Sequence, residues 1–302
     1  MSTTFRTAVV RTPGGPDSIE IIDVPVVEPG SGQVRVEIAG ATVNPVDLAL
    51  AAGVFHGLGL IDQPDHTGLG WDFAGTVTTA GPDVDLPVGS RVAGLVAGFD
   101  RDFGTYAEQL VVPARDTALV PDGLDLAMAA TVPLNGLAAA QLVDLLGDGR
   151  GRSLLVTGAA GAVGGYVVSL AQDRGWRVTG LARAQDEKFV RGLGADFTAQ
   201  AVPGWDAVAD GAVLQEQGVA LVRDGGLFVG VQPGAAPAEV RGVTVRVVVT
   251  QPDGARLAQL LDATARGRLP ARVHAVVPLD QVAAAHRAVA KGSVRGRYVL
   301  QP

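Results

Sequence analysis

The sequence contains no cysteine, which excludes disulfides and every metal site built on thiolate ligands. Histidine is scarce too. His56, His66, His274 and His286 are too scattered to suggest a ligand set, and a surface or structural role suits each. No apolar run approaches the roughly 18 residues of a membrane-spanning helix, and the opening MSTTFRTAVV lacks the charged region and long apolar region of a secretory signal. The formal net charge of -7 is spread along the chain, with no basic run to neutralise a phosphate backbone and no basic amphipathic helix for a lipid surface. These absences predict a cytoplasmic protein with small-molecule partners and no nucleic acid or membrane partner.

What is present describes a folded chain. Hydrophobic residues make up 47% and charged residues 18% of 302 residues, and 41 glycines and 18 prolines punctuate many short apolar runs. That length accommodates two domains. Over the first 120 or so residues, alternating or β-branched runs predict strands at Phe5 to Val10, Ser18 to Val24, Gln33 to Ile38, Phe73 to Thr79, Arg91 to Val96 and Tyr106 to Val112. Turn chemistry separates them, notably at 28–32 and 80–83.

From Leu124 the pattern turns helical, with one helix expected over Leu126 to Leu146. A βαβα alternation follows: strand Ser153 to Thr157, helix Val163 to Arg174, strand Arg177 to Leu181 and helix Asp186 to Leu193. Such alternation implies a parallel sheet with helices on its faces. Further strands are expected at Trp205 to Ala209, Leu227 to Val231 and Thr244 to Val249, then a strand, a helix over Leu279 to Ala290 and a strand over Arg297 to Leu300.

The segment Val156-Thr-Gly-Ala-Ala-Gly-Ala-Val-Gly-Gly165 follows a strand and opens a helix, the setting in which backbone N–H groups receive a dinucleotide pyrophosphate. Aligned to G-x-G-x-x-G, Ala159 takes the first position, Gly161 the second and Gly164 the third. The alternative is a glycine-rich turn with no ligand. After the next strand an acid would suit the ribose hydroxyl of NAD, but the chain carries Ala182-Arg183, and an arginine there accommodates the 2′-phosphate of NADP. Lys188 and Arg191, one and two turns into the following helix, add positive charge, although a solvated helix face explains Arg191 better. Asp186 and Glu187 read as capping charge at that helix's N-terminus.

Six further motifs stand in order around this turn: Asn44-Pro-Val-Asp47, Gly70-Trp-Asp-Phe-Ala-Gly-Thr-Val77, Gly89-Ser-Arg-Val-Ala-Gly94, Gly104-Thr-Tyr-Ala-Glu-Gln109, Ala129-Ala-Thr-Val-Pro-Leu134 and Arg295-Gly-Arg-Tyr-Val-Leu300. Together they resemble the zinc-free, quinone oxidoreductase-like branch of the medium-chain dehydrogenase/reductases over nearly the whole chain. The resemblance implies an α/β fold: a GroES-like β-barrel domain (1–122 and 270–302) plus a Rossmann domain, a doubly wound parallel sheet binding NADPH (123–269). It also implies a cofactor held by Asn44, Gly158, Ala160, Gly161, Ala162, Val163, Arg183, Lys188, Val231 and Arg297, with the nicotinamide between the domains, and a homodimer.

Zinc-dependent relatives carry a ligand cysteine where this chain has Asn44 and a His-Glu pair where it has Trp71-Asp72, so no metal is expected. Without a metal, hydride transfer suits an acceptor that is already electron-poor, a quinone or an activated alkene. Asn44 is the residue the family analogy places beside nicotinamide and acceptor. An asparagine turn ahead of Pro45 is the alternative. Two departures stand out. Phe55 occupies a position where many relatives have tyrosine, which leaves an apolar pocket wall with no proton to give. Only about ten residues separate Asp196 from the strand at Asp206, too few for a crossover helix, so a short loop is expected there and a partner subunit could cover the sheet face it leaves. An enoyl-thioester reductase and a non-catalytic NADPH-binding sensor are the competing readings.

Overall fold

Alternation of β-branched and polar residues builds the first half of the chain, as the computed structural model shows. It describes residues 3–232, 234–292 and 294–302. In chain order come β1 (Thr4–Val10), β2 (Ile19–Pro25), β3 (Gln33–Thr42), α1 (Pro45–Ala51), α2 (Val54–Gly57), β4 (Thr67–Gly68), β5 (Asp72–Ala80), β6 (Arg91–Leu95), β7 (Gln109–Pro113), β8 (Thr117–Leu119) and α3 (Leu126–Ala130). β3 pairs antiparallel with β5 on one side and with β7 over part of its length. Its residues Val34, Val36 and Ile38 are buried while Gln33, Arg35 and Glu37 are not, the period-two pattern of a sheet with one face in the core. Register shifts at Arg35/Val36 and Ile38/Gly40 mark bulges, which bend and twist a strand and so curl the sheet. β7 begins three residues later than the alternation predicts.

The helix expected over 126–146 is two helices. α3 stops at Ala130 and α4 (Pro133–Leu146) restarts on Pro133, because the proline ring disfavours helical φ/ψ at Val132 and suits a helix's first position. Next come β9 (Ser153–Thr157), α5 (Ala162–Asp173), β10 (Arg177–Leu181), α6 (Glu187–Gly192), β11 (Asp196–Thr198), β12 (Trp205–Asp210), α7 (Glu216–Leu221), β13 (Val222–Gly230) and β14 (Thr244–Val247). Their six strands form one parallel sheet in the order β11-β10-β9-β12-β13-β14, a doubly wound arrangement whose order reverses between β9 and β12. β13 starts five residues before the expected Leu227, and it ends before Val231.

No helix joins β11 to β12; residues 199–204 are a short link, as the spacing predicts. Leu155, Val208, Val219, Val222, Phe228 and Val243 form a buried cluster, and Ala201 of the link and Trp205 pack against it. The last elements are α8 (Gly254–Ala265), β15 (Val273–Pro278), α9 (Val282–Ala290) and β16 (Arg297–Gln301). β16 pairs antiparallel with β3, so the C-terminal segment joins the first sheet. The chain therefore divides into two units, Met1–Leu134 with Pro252–Ala265 and Ala271–Pro302, and Asn135–Gln251 with Arg266–Pro270.

Candidate active site

In the parallel-sheet unit, β9 runs into a turn that favours glycine. Gly158 sits at φ 61, and Gly161 N–H closes the turn on the Gly158 carbonyl at 2.7 Å. A Cβ on Gly164 would lie 2.2 Å from that same carbonyl oxygen, so α5 starts with its backbone pressed against the turn. Gly158, not Ala159, turns the chain. Ala159 is buried, and its N–H reaches the Leu181 carbonyl at the end of β10. Gly161 is the N-cap of α5 and brings no side chain to its first turn, so that end of a twelve-residue helix presents backbone N–H groups and the positive end of its dipole. A cradle of this kind fits a pyrophosphate. Gly158, Ala160, Gly161, Ala162 and Val163 all belong to it.

The turn is braced from the neighbouring strand. Thr157 donates its hydroxyl to buried Asp210 at 2.5 Å and accepts from the Ala212 N–H at 3.1 Å. Asp210 also accepts from the Gln215 N–H. Val213 and Gln215 in this loop have φ of 58 and 56, strained values for side chains with a Cβ. Spacing of motifs does not reveal this brace, since its members are about 50 residues apart in sequence.

Arg183 follows β10 and is exposed, and Lys188 stands exposed in α6. Arg191 is ion-paired with Glu187 one turn earlier at 2.8 Å, the solvated helix face expected of it. Asp186 holds the N-cap position of α6 and Glu187 its first turn, so both acids stand at that helix's N-terminus; the Asp186 carboxylate is buried and makes no capping hydrogen bond. Val231 lies just past the C-terminal end of β13. The glycine turn, Arg183 and Val231 thus share the C-terminal edge of the parallel sheet, where doubly wound sheets bind ligands.

In the first unit, Asn44 caps α1 and is 1% exposed. Asp47 closes the carboxylate half of a capping box, accepting the Asn44 backbone N–H at 2.9 Å and the Gly70 N–H at 3.0 Å. The Asn44 amide donates to Asp72 at 3.1 Å and to the carbonyl and hydroxyl oxygens of Thr42, and the Thr42 hydroxyl bonds the same Asp72 oxygen at 2.5 Å. Burial pushes the Asp47 carboxyl up to about 7 and that of Asp72 up to about 6, and the bonds from Asn44 and Thr42 hold both below where burial alone would put them. Arg297, at the start of β16, faces Asp72 electrostatically.

Trp71 is buried beside them, with the Arg101 guanidinium 4.8 Å from its ring centroid. Arg101 is anchored by the carbonyls of Val96 and Gly70 at 2.6 and 2.5 Å. Phe99 meets Trp71 edge-on at 5.3 Å, and Phe55 stacks on Phe99 at 3.9 Å. Asn44, Phe55 and Arg297 therefore lie in one unit and the glycine turn, Arg183, Lys188 and Val231 in the other. Among the described residues, no three His, Cys, Asp or Glu side chains gather as a metal site. Sequence reasoning missed Asp47, Asp72 and Arg101; only Asp47 carried a local signal, the Asn-x-x-Asp spacing of a capping box.

Comparison with known proteins agrees with this architecture. Residues 30–122 match the alcohol dehydrogenase GroES-like domain and residues 189–300 the zinc-binding dehydrogenase family. The chain is 33% identical over 190 residues to a chloroplastic quinone-oxidoreductase homolog of Spinacia oleracea, covering 61% of this chain and 56% of that one. It thus spans little more than half the length of the spinach protein. It is 30% identical over 287 residues to a 2-methylene-furan-3-one reductase of Solanum lycopersicum, covering 89% of this chain and 72% of the relative. The quinone oxidoreductase structure from Coxiella burnetii superposes with a TM-score of 0.88 at 25% identity over 99% of both chains.

Proposed function

From the chain's membership of the medium-chain dehydrogenase/reductase family, in its quinone oxidoreductase-like branch, we propose that it transfers hydride from NADPH to a quinone or enone without zinc. The observation that carries the choice of NADPH is Arg183, exposed directly after β10, where a carboxylate would favour NADH. Lys188 adds a second cation one turn on, and a 2′-phosphate dianion suits the pair. The Gly158–Val163 turn and the α5 N-terminus hold the pyrophosphate, and Val231 and Arg297 complete the cofactor contacts. The bound nicotinamide supplies the hydride.

Asn44 stands beside nicotinamide and acceptor, its amide held in one orientation by Asp72 and Thr42. Phe55 walls the acceptor pocket. The net reaction adds one hydride and one proton across the conjugated system and leaves NADP⁺. We place the enzyme in the cytoplasm as a homodimer; no helix among the described residues is long and apolar enough to cross a membrane.

The test is titration of the purified chain with NADPH and with NADH, then cofactor oxidation with a panel of quinones and enones. NADPH is expected to bind at least about tenfold tighter than NADH, a preference lost in Arg183→Ala, since a charge-assisted pair is worth about 1.5 to 3 kcal/mol. Equal affinities would refute the cofactor assignment, and binding without turnover on any acceptor would refute the reductase.

A further inference from the structure

The loop that follows β12 is seated on the glycine turn. A Cβ on Gly158 would lie 3.2 Å from Ala212, and one on Gly211 would lie 3.4 Å from the Gly164 nitrogen. β9 and β12 flank the point where the strand order reverses, so this loop and the glycine turn are the two walls of the crevice there. The second wall carries a cost in backbone conformation. Residues 214–217 form a turn closed by Gln217 N–H on the Leu214 carbonyl at 3.1 Å. Gln215 enters it with φ 56 and ψ -117, the values of the first central residue of a type II′ turn, a position that favours glycine. Among the described residues twenty glycines adopt positive φ, so glycine is how this chain usually meets that demand. Here it carries a glutamine instead.

What the glutamine adds is a bond between loops. Its Nε2 donates to the Ala235 carbonyl at 2.6 Å and to the Gln232 side-chain oxygen at 3.3 Å, both in the loop that follows β13. Its backbone N–H donates to Asp210 at 2.9 Å, and Asp210 also accepts the Thr157 hydroxyl. One residue thus joins the connections leaving two neighbouring parallel strands at their C-terminal ends, and Asp210 and Thr157 tie that junction back to β9. Glycine at this position would relieve the backbone and lose the junction.

We propose that Gln215 is a positioning residue for the dinucleotide: it latches the loops after β12 and β13 into one wall, and that wall holds the nicotinamide half. This rests on the reading of the glycine turn as a cofactor cradle. In a doubly wound sheet of this order each half takes one mononucleotide. Arg183 follows β10 and assigns the half formed by β9, β10 and β11 to the adenosine with its 2′-phosphate, which leaves the half formed by β12, β13 and β14 to the nicotinamide. A wall that is already latched needs no ordering when the cofactor arrives, so the latch acts on affinity.

The test compares NADPH with 2′,5′-ADP, which has the adenosine and its two phosphates and lacks the nicotinamide, by calorimetric titration of the full chain. Gln215→Ala is expected to weaken NADPH at least about fivefold and to leave 2′,5′-ADP unchanged, whereas Arg183→Ala weakens both. Gln215→Gly loses the same NADPH affinity but unfolds at a higher urea concentration than Gln215→Ala, because it relieves the positive φ. That opposition separates a positioning role from a purely structural one, in which NADPH affinity would recover along with stability. Unchanged NADPH affinity in both Gln215 variants, recovery of affinity in Gln215→Gly, or an equal loss for NADPH and 2′,5′-ADP overturns the latch and leaves the cofactor reading standing. A wild-type chain that binds neither ligand overturns both.

Discussion

Replacing His286 by leucine should make the protein more stable, by a margin that widens as the pH falls. His286 lies in α9 with no exposed surface, edge-on to Tyr106 at 5.8 Å, and neither ring nitrogen has a hydrogen-bond partner. Burial lowers its pKa from 6.5 to about 4, because the imidazolium would lose its hydration and gain nothing. Between those values the unfolded chain binds a proton that the folded chain refuses, so this group's contribution to stability is present above pH 6.5 and lost as pH falls through the window towards 4. At about 1.4 kcal/mol for each pH unit the loss reaches roughly 3 kcal/mol.

Asp47 and Asp72 act in the opposite sense over much of the same range. Their carboxyls are raised, so the folded state keeps protons that the unfolded state has released, and their contribution falls as pH rises from about 4 through 6 to 7. The wild-type profile is therefore shallow, and the difference between wild type and His286→Leu isolates the histidine. Urea unfolding at a series of pH values from 4.5 to 8 should show the variant ahead by about 1 kcal/mol at pH 8, from removal of an unsatisfied buried polar group, and by a widening margin in acid. Parallel curves for the two proteins would refute the reasoning.

Gly164→Ala should abolish dinucleotide binding in a cofactor titration and lower the unfolding midpoint, since the new methyl would meet the Gly158 carbonyl at 2.2 Å in a packed turn. Thr157→Val keeps the shape but strips Asp210 of its 2.5 Å donor, and a loss of about 2 kcal/mol is expected by urea unfolding, with cofactor affinity weakened as the turn loosens. Asp72→Asn cannot ionise, so its stability measured relative to wild type should rise as pH goes from about 4 to 6 and then level off.

Much of the fold could be read from periodicity because local pattern and tertiary role coincide there. β9 carries a continuous apolar run, Leu154 to Val156, buried on both faces, and the turn between β9 and α5 announces itself through its glycines. Expectation and structure part where tertiary contacts outweigh local preference. β13 runs through Asp224-Gly225-Gly226, poor strand residues opposite a register shift, because Val222 pairs with β12 before them and Leu227–Gly230 pair with β12 and β14 after them. α8 buries Leu257, Leu260, Leu261 and Thr264 on one stripe, yet turn-forming Pro252, Asp253 and Gly254 introduce it and Gly254 is its first residue. The buried arrangement of Asp47, Asn44 and Asp72 was out of reach for another reason. Asp47 and Asp72 are 25 positions apart, and only the fold puts Asn44 in contact with both.

The six-residue link between β11 and β12 makes this chain unusually easy to label. Val202 in the link is 72% exposed, and no backbone partner in a helix has to be given up there. Each doubling of a loop costs only about 0.6 kcal/mol in closure entropy. A peptide epitope or a fluorophore-bearing cysteine inserted beside Val202 would sit on a strand connection remote in sequence from the glycine turn, and the absence of any native cysteine makes that thiol unique.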